Sequence, residues 1–199
     1  MIVQIYVVAR PKEFDQDAVL NRAVELFRQR GFRSASFGEI TEALGVGRQS
    51  LYDTFGDKDA LFHAALKRYR ERGIADMRHI LEAPGTLRET LIRVFDAAIR
   101  AHCEGEGYGC LMANSMVEMC KEDAAIRAAA VEHAREVEGM LAARLGRAQL
   151  EGDLAPDKDP VALARYFHHM LVGFSVAARA FENSDVLRTS ARLSLRTLD

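Results

Sequence analysis

The chain has 199 residues, of which 49% are hydrophobic and 28% are charged, and its formal net charge is −2. This composition can bury a core within one compact domain or two small ones, which excludes a chain that is disordered throughout. The most apolar uncharged segments, residues 1–9 and 170–178, are too short to span a bilayer, and residues 1–9 lack the features of a signal peptide. We therefore expect a cytoplasmic protein that has no membrane partner.

Cysteine count and charge distribution narrow the class further. Three cysteines, an odd number, argue against a disulfide framework and fit a reducing compartment. Residues 1–72 contain 12 Lys and Arg against 10 Asp and Glu, whereas residues 73–199 contain 15 against 19. A mildly basic N-terminal part on an acidic body is compatible with nucleic-acid binding, although the asymmetry is small.

The N-terminal segment differs from the rest of the chain. Residues 1–8 are β-branched and strand-like, so residues 1–10 are expected to be a short arm or an extraneous start. Helical periodicity begins after Pro11. Asp15 is suited to be the N-cap of the first helix, and Gly31 supplies its stop signal.

Two short helices follow, joined by a turn that contains glycine. Ser36 and Glu39 have the S-x-x-E spacing of a capping box, in which the two residues satisfy each other's backbone N–H groups. Gly45 lies where the chain has to take a left-handed turn conformation, and the second helix ends at Gly56. Two helices of this length with such a turn are the signature of a helix-turn-helix.

The remainder of the chain continues the helical pattern. A second capping box at Thr86 and Glu89 opens one of these helices, and Asp159 with Pro160 opens another. The predicted helices after Gly56 cover about 58–81, 86–102, 110–120, 123–145, 161–182 and 185–198. The sequence therefore predicts an all-α fold of about nine helices, with a three-helix domain over residues 1–56 and a helical bundle over residues 57–199.

The second short helix carries residue types that read DNA. Gly47 allows close backbone approach, Arg48 can donate two hydrogen bonds to a guanine edge, and Gln49 can pair with adenine. Ser36 and Lys58 lie beside this helix in the sequence and are suited to phosphates. Spacing alone leaves a second interpretation open, in which this is a solvated helix of an ordinary bundle.

Residues 27–69, FRQRGFRSASFGEITEALGVGRQSLYDTFGDKDALFHAALKRY, resemble the N-terminal domain of the TetR family of transcriptional repressors. The matching positions include Gly31-Phe32, Gly45-Val46 and Leu51-Tyr52. The resemblance implies that the helix after the turn reads bases and phosphates, and that its neighbours hold phosphates. The residues predicted to contact DNA are Ser36, Gly47, Arg48, Gln49, Ser50, Tyr52, Thr54 and Lys58.

Two positions depart from the family pattern. Asp53 lies where many members carry an aromatic or basic residue, and an acidic group that faces phosphate is unfavourable. We expect Asp53 either to accept a hydrogen bond from a cytosine amine or to face solvent. Thr41 lies where the family usually has alanine, and its hydroxyl is expected to bond back to a helix carbonyl.

The last two predicted helices are the expected homodimer surface. One helix-turn-helix contacts only a few base pairs, so a specific operator requires two copies about one DNA turn apart on a palindrome. The family resemblance implies such a dimer. The residues small enough to let two helices approach closely are Ala162, Ala164, Gly173, Ala177, Ala178 and Ala180. The expected apolar anchors of the dimer are Phe167, Leu171, Phe174 and Phe181. Periodicity leaves open that these apolar residues belong wholly to the core of one copy.

Residues 107–123, GYGCLMANSMVEMCKED, resemble a stretch of one TetR subgroup in which Gly-Cys-Leu opens the sixth helix and an acidic residue follows. The acidic residue here is Glu118. Because Glu118 and Glu122 repel each other at a spacing of four, their side of the helix, with Leu111 and Ser115, is expected to face solvent.

Methionines on the same predicted helix suit a pocket that accepts an apolar ligand, because their side chains fill irregular gaps. The resemblance implies such a pocket, whereas the residues alone favour an ordinary core stripe. The residues predicted to line it are Phe95, Ile99, His102, Met112, Ser115, Met116, Met119 and Phe167.

Metal and catalytic chemistry have little support. The cysteines are seven and ten residues apart, unlike the close pairs of zinc motifs, and His168 and His169 are expected to face different sides of a helix. We therefore expect no metal and no other cofactor. The chain contains no nucleophile elbow, P-loop, dinucleotide fingerprint or HExxH, so we expect no enzyme. A reactive thiol stays open, because Cys103 borders a polar loop.

These expectations combine into one function with two alternatives. The sequence predicts a homodimeric regulator that binds double-stranded operator DNA. A small, largely apolar effector is expected to enter among the fifth to eighth helices, tilt the fourth and release the operator. The first alternative is a DNA-binding or adaptor protein without an effector, which would have a filled C-terminal core. The second is a cysteine-based redox-sensing regulator.

Overall fold

The structure, a computed structural model, describes residues 14–103, 107–180 and 184–199, and of Cys103 only the backbone. The helices are α1 (Gln16–Arg30), α2 (Phe37–Leu44), α3 (Arg48–Phe55), α4 (Lys58–Glu82), α5 (Leu87–Cys103), α6 (Leu111–Met119), α7 (Ala124–Leu150), α8 (Pro160–Ala177) and α9 (Asp185–Ser194). A 3-10 turn, Leu195–Leu198, follows α9. The described residues contain no strand, so the predicted all-α fold is confirmed. None of their helices is both long and apolar enough to cross a membrane.

Local signals fixed most helix ends. Asp15 caps α1 by accepting from the backbone N–H of Asp17 and Ala18. Both bonds of the capping box between Ser36 and Glu39 are present at the start of α2. Gly45 ends α2 with φ of 65°, in the left-handed region that glycine adopts without strain. The short helices therefore form as the sequence predicts. The predicted arm over residues 1–10 lies outside the described residues.

Two helix ends differ from the prediction. Helix α7 continues to Leu150 instead of stopping near Leu145, because Gly146 stays helical and the chain turns only at Gly152, which has φ of 80°. Helix α8 ends at Ala177, five residues before the predicted end, and no residue in 178–180 accounts for that end.

Two clusters of buried residues form the interior. The first cluster joins α1, α2 and α3 to the first half of α4, to α6 and to the start of α7. In it the rings of Phe27 and Phe62 meet edge to face with centroids 4.9 Å apart. The second joins the rest of α4 to α5, α7, α8 and α9. Because α4 contributes to both clusters, a movement of α4 changes both.

Helix α6 docks onto the helix-turn-helix part through Glu118. One oxygen of this carboxylate accepts from the backbone N–H of Phe32 at 3.0 Å, and the other accepts from Arg33 at 2.7 Å. Arg33 also pairs with Glu122. The expectation that this side of α6 faces solvent is therefore wrong, and Leu111 and Ser115 are buried beside it. Donors from the turn after α1 offset the repulsion between the two carboxylates.

The outer face of α8 and α9 differs from the predicted dimer anchors. Phe167, Leu171 and Phe174 are buried in the second cluster of the single chain, so they are not available as anchors. Phe181 lies outside the described residues. The exposed apolar side chains on these helices are instead Val161, Tyr166, Val176, Val186 and Leu193.

The Glu118 contact predicts a measurable loss of stability. Replacing Glu118 with Gln should lower the free energy of unfolding by about 1–3 kcal/mol, because hydrogen bonds to a charged acceptor contribute about that much. Urea unfolding at pH 7 measures the change. The matched control is Glu122→Gln, which removes an exposed ion pair and should leave the free energy of unfolding nearly unchanged. Equal losses in the two variants would contradict the assigned role of Glu118.

Candidate DNA-binding helix and internal cavity

Helix α3 presents most of its side chains to the outside. Of its eight residues only Leu51 is fully buried, and it contributes to the first cluster. Arg48, Gln49 and Tyr52 are exposed, and Ser50 and Thr54 are half-buried. Leu51, together with the half-buried ring of Phe55, therefore anchors a helix whose polar residues are accessible.

An aromatic stack supports the side chain of Arg48. The rings of Phe37 on α2 and Tyr52 on α3 are nearly parallel, with centroids 4.9 Å apart. The guanidinium carbon of Arg48 lies 4.7 Å from the centroid of Phe37 and 5.7 Å from that of Tyr52. These are cation–π distances, so Arg48 is held near the start of α3 without an acidic partner at that contact.

Gln49 and Asp53 pair with each other. The amide nitrogen of Gln49 donates to a carboxylate oxygen of Asp53 at 2.8 Å, one helical turn away. The expectation that Asp53 faces solvent is met only in part, because its carboxylate is exposed but already engaged. This pair also explains how an acidic residue is accommodated on the helix. The hydroxyl of Thr41 donates to the carbonyl of Gly38 at 2.8 Å, as expected.

The remaining predicted DNA contacts lie at helix starts. Gly47 is the N-cap of α3, with no side-chain capping bond and open space around its Cα. The hydroxyl of Ser36 accepts from the backbone N–H of Glu39, and the ammonium of Lys58 lies 4.5 Å from the ring centroid of Phe32. The structure thus places the predicted residues on α3 and at the starts of α2 and α4, while their contacts with DNA remain predictions.

An internal cavity of about 690 Å³ opens beside the first cluster. Its wall comes from α1, α4, α5, α6, α7 and α8. Among the residues predicted to line a pocket, His102, Met112 and Met116 are in this wall. A void of this size lies in the usual range for small-molecule sites.

Five of the predicted lining residues lie elsewhere. Phe95, Ile99 and Phe167 are buried in the second cluster, because the stripes that carry them face other helices rather than the void. Ser115 is buried with its hydroxyl donating to the carbonyl of Leu111 at 2.7 Å, and Met119 packs into the first cluster. The prediction that these five line the cavity is wrong.

Several residues in the wall of the cavity were not predicted from the sequence. Tyr69, Gly73 and Met77 line the cavity from α4, and His133 and Val137 line it from α7. Tyr69 belongs to the apolar stripe of α4, which was a signal in the sequence. The α7 residues gave no signal, because only packing shows which face of that long helix meets the void.

Two histidines of the wall have pKa values well below the ordinary value. Burial, together with the charge of Arg28, lowers the pKa of His102 to about 4, although its ring hydrogen-bonds to the carbonyl of Gly109. Burial, with His168 and Arg70 nearby, also lowers the pKa of His133 to about 4. Arg70 is occupied by Glu132 at 2.7 Å and 2.8 Å. Both imidazoles are therefore neutral at pH 7.

A tyrosine and a cysteine meet in the wall. Tyr69 is half-buried, and desolvation of its phenol together with the neighbouring thiol of Cys110 raises the pKa of that phenol well above 10. Cys110 is half-buried and free, and it lines the cavity at the start of α6. Cys120 is also half-buried and free, and the side chain of Cys103 lies outside the described residues.

Arg28 connects α1 to the cavity and to the segment before α6. Its guanidinium donates to the carbonyl of Ala101 at 2.9 Å and to that of Gly109 at 3.1 Å. Helix α6 also contacts both the cavity and the helix-turn-helix part. Met112 and Met116 line the cavity, and Glu118 binds the turn after α1. Two separate contacts therefore join the cavity wall to the helix-turn-helix part.

Two family models match the sequence. The model described as "Bacterial regulatory proteins, tetR family" matches residues 19–65, and the model described as "Tetracyclin repressor-like, C-terminal domain" matches residues 85–193. The chain is 34% identical over 194 residues to the uncharacterized HTH-type transcriptional regulator YezE of Bacillus subtilis strain 168, covering 96% of this chain and 100% of the relative. It is 30% identical over 190 residues to the HTH-type transcriptional repressor ComR of Escherichia coli strain K12, covering 94% and 90%.

Solved structures have the same architecture. A cysteine mutant of the TetR family transcriptional regulator CifR, complexed with 26-base-pair double-strand operator DNA, matches with a TM-score of 0.86 and 30% identity, covering 96% of this chain and 100% of that one. The reduced form of E. coli NemR matches with a TM-score of 0.80 and 20% identity, covering 92% and 96%, which supports the fold alone.

The two neutral histidines predict a pH-dependent stability. Their pKa in the folded chain is about 4, below the ordinary value of 6.5, so the unfolded chain binds the extra protons. The free energy of unfolding should fall as pH drops from about 6.5 towards 4, by about 1 kcal/mol per pH unit for each histidine. Urea unfolding of the wild type and of a His102→Gln, His133→Gln double variant measures the two slopes.

The variant should show the flatter slope in that range, because carboxylates titrate alike in both proteins. His79→Gln, at an exposed position on α4, is the matched control and should keep the wild-type slope. A double variant as steep as the wild type would refute the assignment.

Proposed function

Because this chain belongs to the TetR family of bacterial regulatory proteins, we propose that it is a homodimeric repressor that a small, largely apolar ligand releases from a palindromic operator. The chain is a DNA-binding transcriptional regulator, and its relatives, which are named as regulators, confirm that it is not an enzyme. The single observation that carries the ligand response is the cavity of about 690 Å³. A bacterial regulator that binds chromosomal DNA would be located in the cytoplasm.

Helix α3 is the element proposed to lie in the major groove. Arg48 and Gln49 are exposed near its start, where recognition helices contact base edges. The cation–π contact limits the conformations of Arg48, so less side-chain entropy is lost when its guanidinium meets a guanine. Gln49 would exchange its bond to Asp53 for a base contact, which makes its share of the affinity smaller.

A second copy of the chain is the proposed partner of α8 and α9. Val176, Val186 and Leu193 are large apolar side chains exposed on these two helices, and Gly173 on α8 has open space where a Cβ would lie. Covering such side chains removes apolar surface from water. The resulting pair would carry two α3 helices, as a palindrome requires. This surface replaces the anchors first expected from the sequence.

Ligand release is proposed to act through α6 and α4. A ligand in the cavity would press on Met112 and Met116, on the same short helix whose Glu118 holds the turn after α1. It would also press on Tyr69 of α4, a helix that begins directly after α3. Moving these helices would change the spacing of the two α3 helices in the dimer, so both could no longer fit one operator.

The ligand has to discriminate between two conformations. A ligand that binds both forms equally shifts nothing, and a change from 1% to 99% released form needs about 10⁴-fold tighter binding to the released form. An effector-less DNA-binding protein would be expected to have a filled core. The cavity therefore favours the sensor over that alternative.

A thiol switch is a second candidate, because one cysteine lies in the cavity wall. Cys110 is half-buried, it opens α6, and it lies beside the phenol of Tyr69. Modification of its thiol would add bulk at the start of the helix that holds the turn after α1. The CifR structure bound to operator DNA is of a cysteine mutant, which directs attention to thiols in this group.

The DNA-binding proposal predicts a selective loss in Arg48→Ala. Operator fragments are first selected from genomic DNA with the wild-type protein, and affinity is then measured by fluorescence anisotropy. Arg48→Ala should bind the selected operator at least tenfold more weakly, because one bidentate base contact contributes about 1–3 kcal/mol. Its unfolding curve should match the wild type, since Arg48 is exposed.

The matched control is Arg147→Ala, which removes an exposed arginine from the far end of α7. This variant should bind the operator as the wild type does. Wild-type affinity in Arg48→Ala would refute the assignment of α3 as the reading helix.

The thiol candidate predicts that one cysteine controls electrophile sensitivity. N-ethylmaleimide should release the operator from the wild type and from Cys120→Ser, but not from Cys110→Ser. The serine variants form a matched pair because both thiols are half-buried and free. If N-ethylmaleimide releases the operator from Cys110→Ser at the wild-type rate, the thiol switch is refuted. The proposal of a non-covalent ligand does not depend on this result.

A further inference from the structure

Three side chains that bind metals meet between α7 and α8. Nδ1 of His168 lies 3.2 Å from a carboxylate oxygen of Glu138 on α7. One ligand atom each from Glu138, His168 and His169 lies within 4.8 Å of the other two. The two imidazoles stack with ring centroids 5.9 Å apart and an interplanar angle of 28°. His168 is buried and His169 is exposed, as expected for adjacent residues on different sides of a helix, yet a ring nitrogen of each lies within 4.8 Å of a carboxylate oxygen of Glu138.

This set of donors has the chemistry of a zinc site. Two imidazole nitrogens and one carboxylate oxygen are a known three-ligand combination for Zn²⁺, with water or another group in the fourth position. With metal–ligand distances of about 2.0–2.1 Å, tetrahedral ligand atoms lie roughly 3.4 Å apart. The pair of His168 and Glu138 already has that separation.

The third ligand has room to close the remaining gap. His169 is exposed, and the side chain of Glu138 is partly exposed, so both can rotate about their side-chain bonds. His168 is buried and fixed by packing, which gives the site one rigid ligand. We propose that Glu138, His168 and His169 form a site for a divalent transition metal, with Zn²⁺ as the probe that represents this class.

One positive group opposes the metal. Nε of Arg165 lies 3.6 Å from the second oxygen of Glu138, with most of its side chain in solvent. Removing Arg165 should therefore strengthen metal binding, because the carboxylate would lose a competing cation. Stronger Zn²⁺ binding after removal of Arg165 would indicate that the carboxylate of Glu138 is a ligand. Zn²⁺ bound nonspecifically by surface histidines would not respond to this change.

The experiment titrates Zn²⁺ into the untagged, reduced full-length protein at pH 7.5, with a fluorescent chelator as competitor. His169 lies on the exposed face of α8 that is proposed for the dimer, so the stoichiometry is counted per chain. We expect one Zn²⁺ per chain. His169→Ala and Glu138→Gln should weaken binding at least tenfold, and Arg165→Ala should strengthen it at least twofold. Circular dichroism verifies that each variant is folded.

Two other histidines supply the controls. His63 lies 3.1 Å from Asp123 and forms a two-ligand pair, and His79 is an exposed histidine of α4. His63→Ala and His79→Ala should bind Zn²⁺ as the wild type does. The proposal is overturned by a dissociation constant weaker than about 10 µM, by equal binding in all variants, or by a loss confined to the His63 or His79 variant.

Discussion

The carboxylate of Glu118 joins α6 to the backbone of the helix-turn-helix part. Glu118 accepts two backbone hydrogen bonds, from residues 32 and 33, and so binds the turn between α1 and α2 from the side of α6. Gly31 is required for this approach, because a Cβ there would lie 3.0 Å from the carboxylate oxygen. The bonds go to main-chain groups, so they fix the position of the helix-turn-helix backbone rather than that of one side chain.

The contact of Glu118 connects the cavity to the helix-turn-helix part. Helix α6 has only nine residues, so in the proposed mechanism a displacement at Met116 would reach Glu118, half a turn further on. Arg28 adds a second connection, because it lines the cavity and binds the carbonyl of Gly109 just before α6. The two neutral imidazoles add no charge to the wall at pH 7.

Helix α3 shows that exposed polar residues make contacts in the free protein. Arg48 rests on two aromatic rings, and Gln49 binds Asp53. These contacts limit the conformations of the side chains before DNA arrives, which lowers the entropy lost on binding. In the proposed DNA complex, the bond between Gln49 and Asp53 would have to break before Gln49 could meet a base. Asp53, the acidic residue that departs from the family pattern, would then lower the affinity.

The sequence alone determined what depends on neighbours along the chain. Helix starts at Asp15 and Ser36, the left-handed turn at Gly45 and the polar face of α3 follow from caps, glycine geometry and spacing of 3.6, which act within a few residues. Tertiary structure decided which faces meet. Packing gave Glu118 its backbone donors, buried Phe167 within the single chain, and brought Glu138 next to His168, thirty residues later in the sequence. The sequence did not predict these contacts, because packing partners that are distant in sequence leave no periodic signal in either segment.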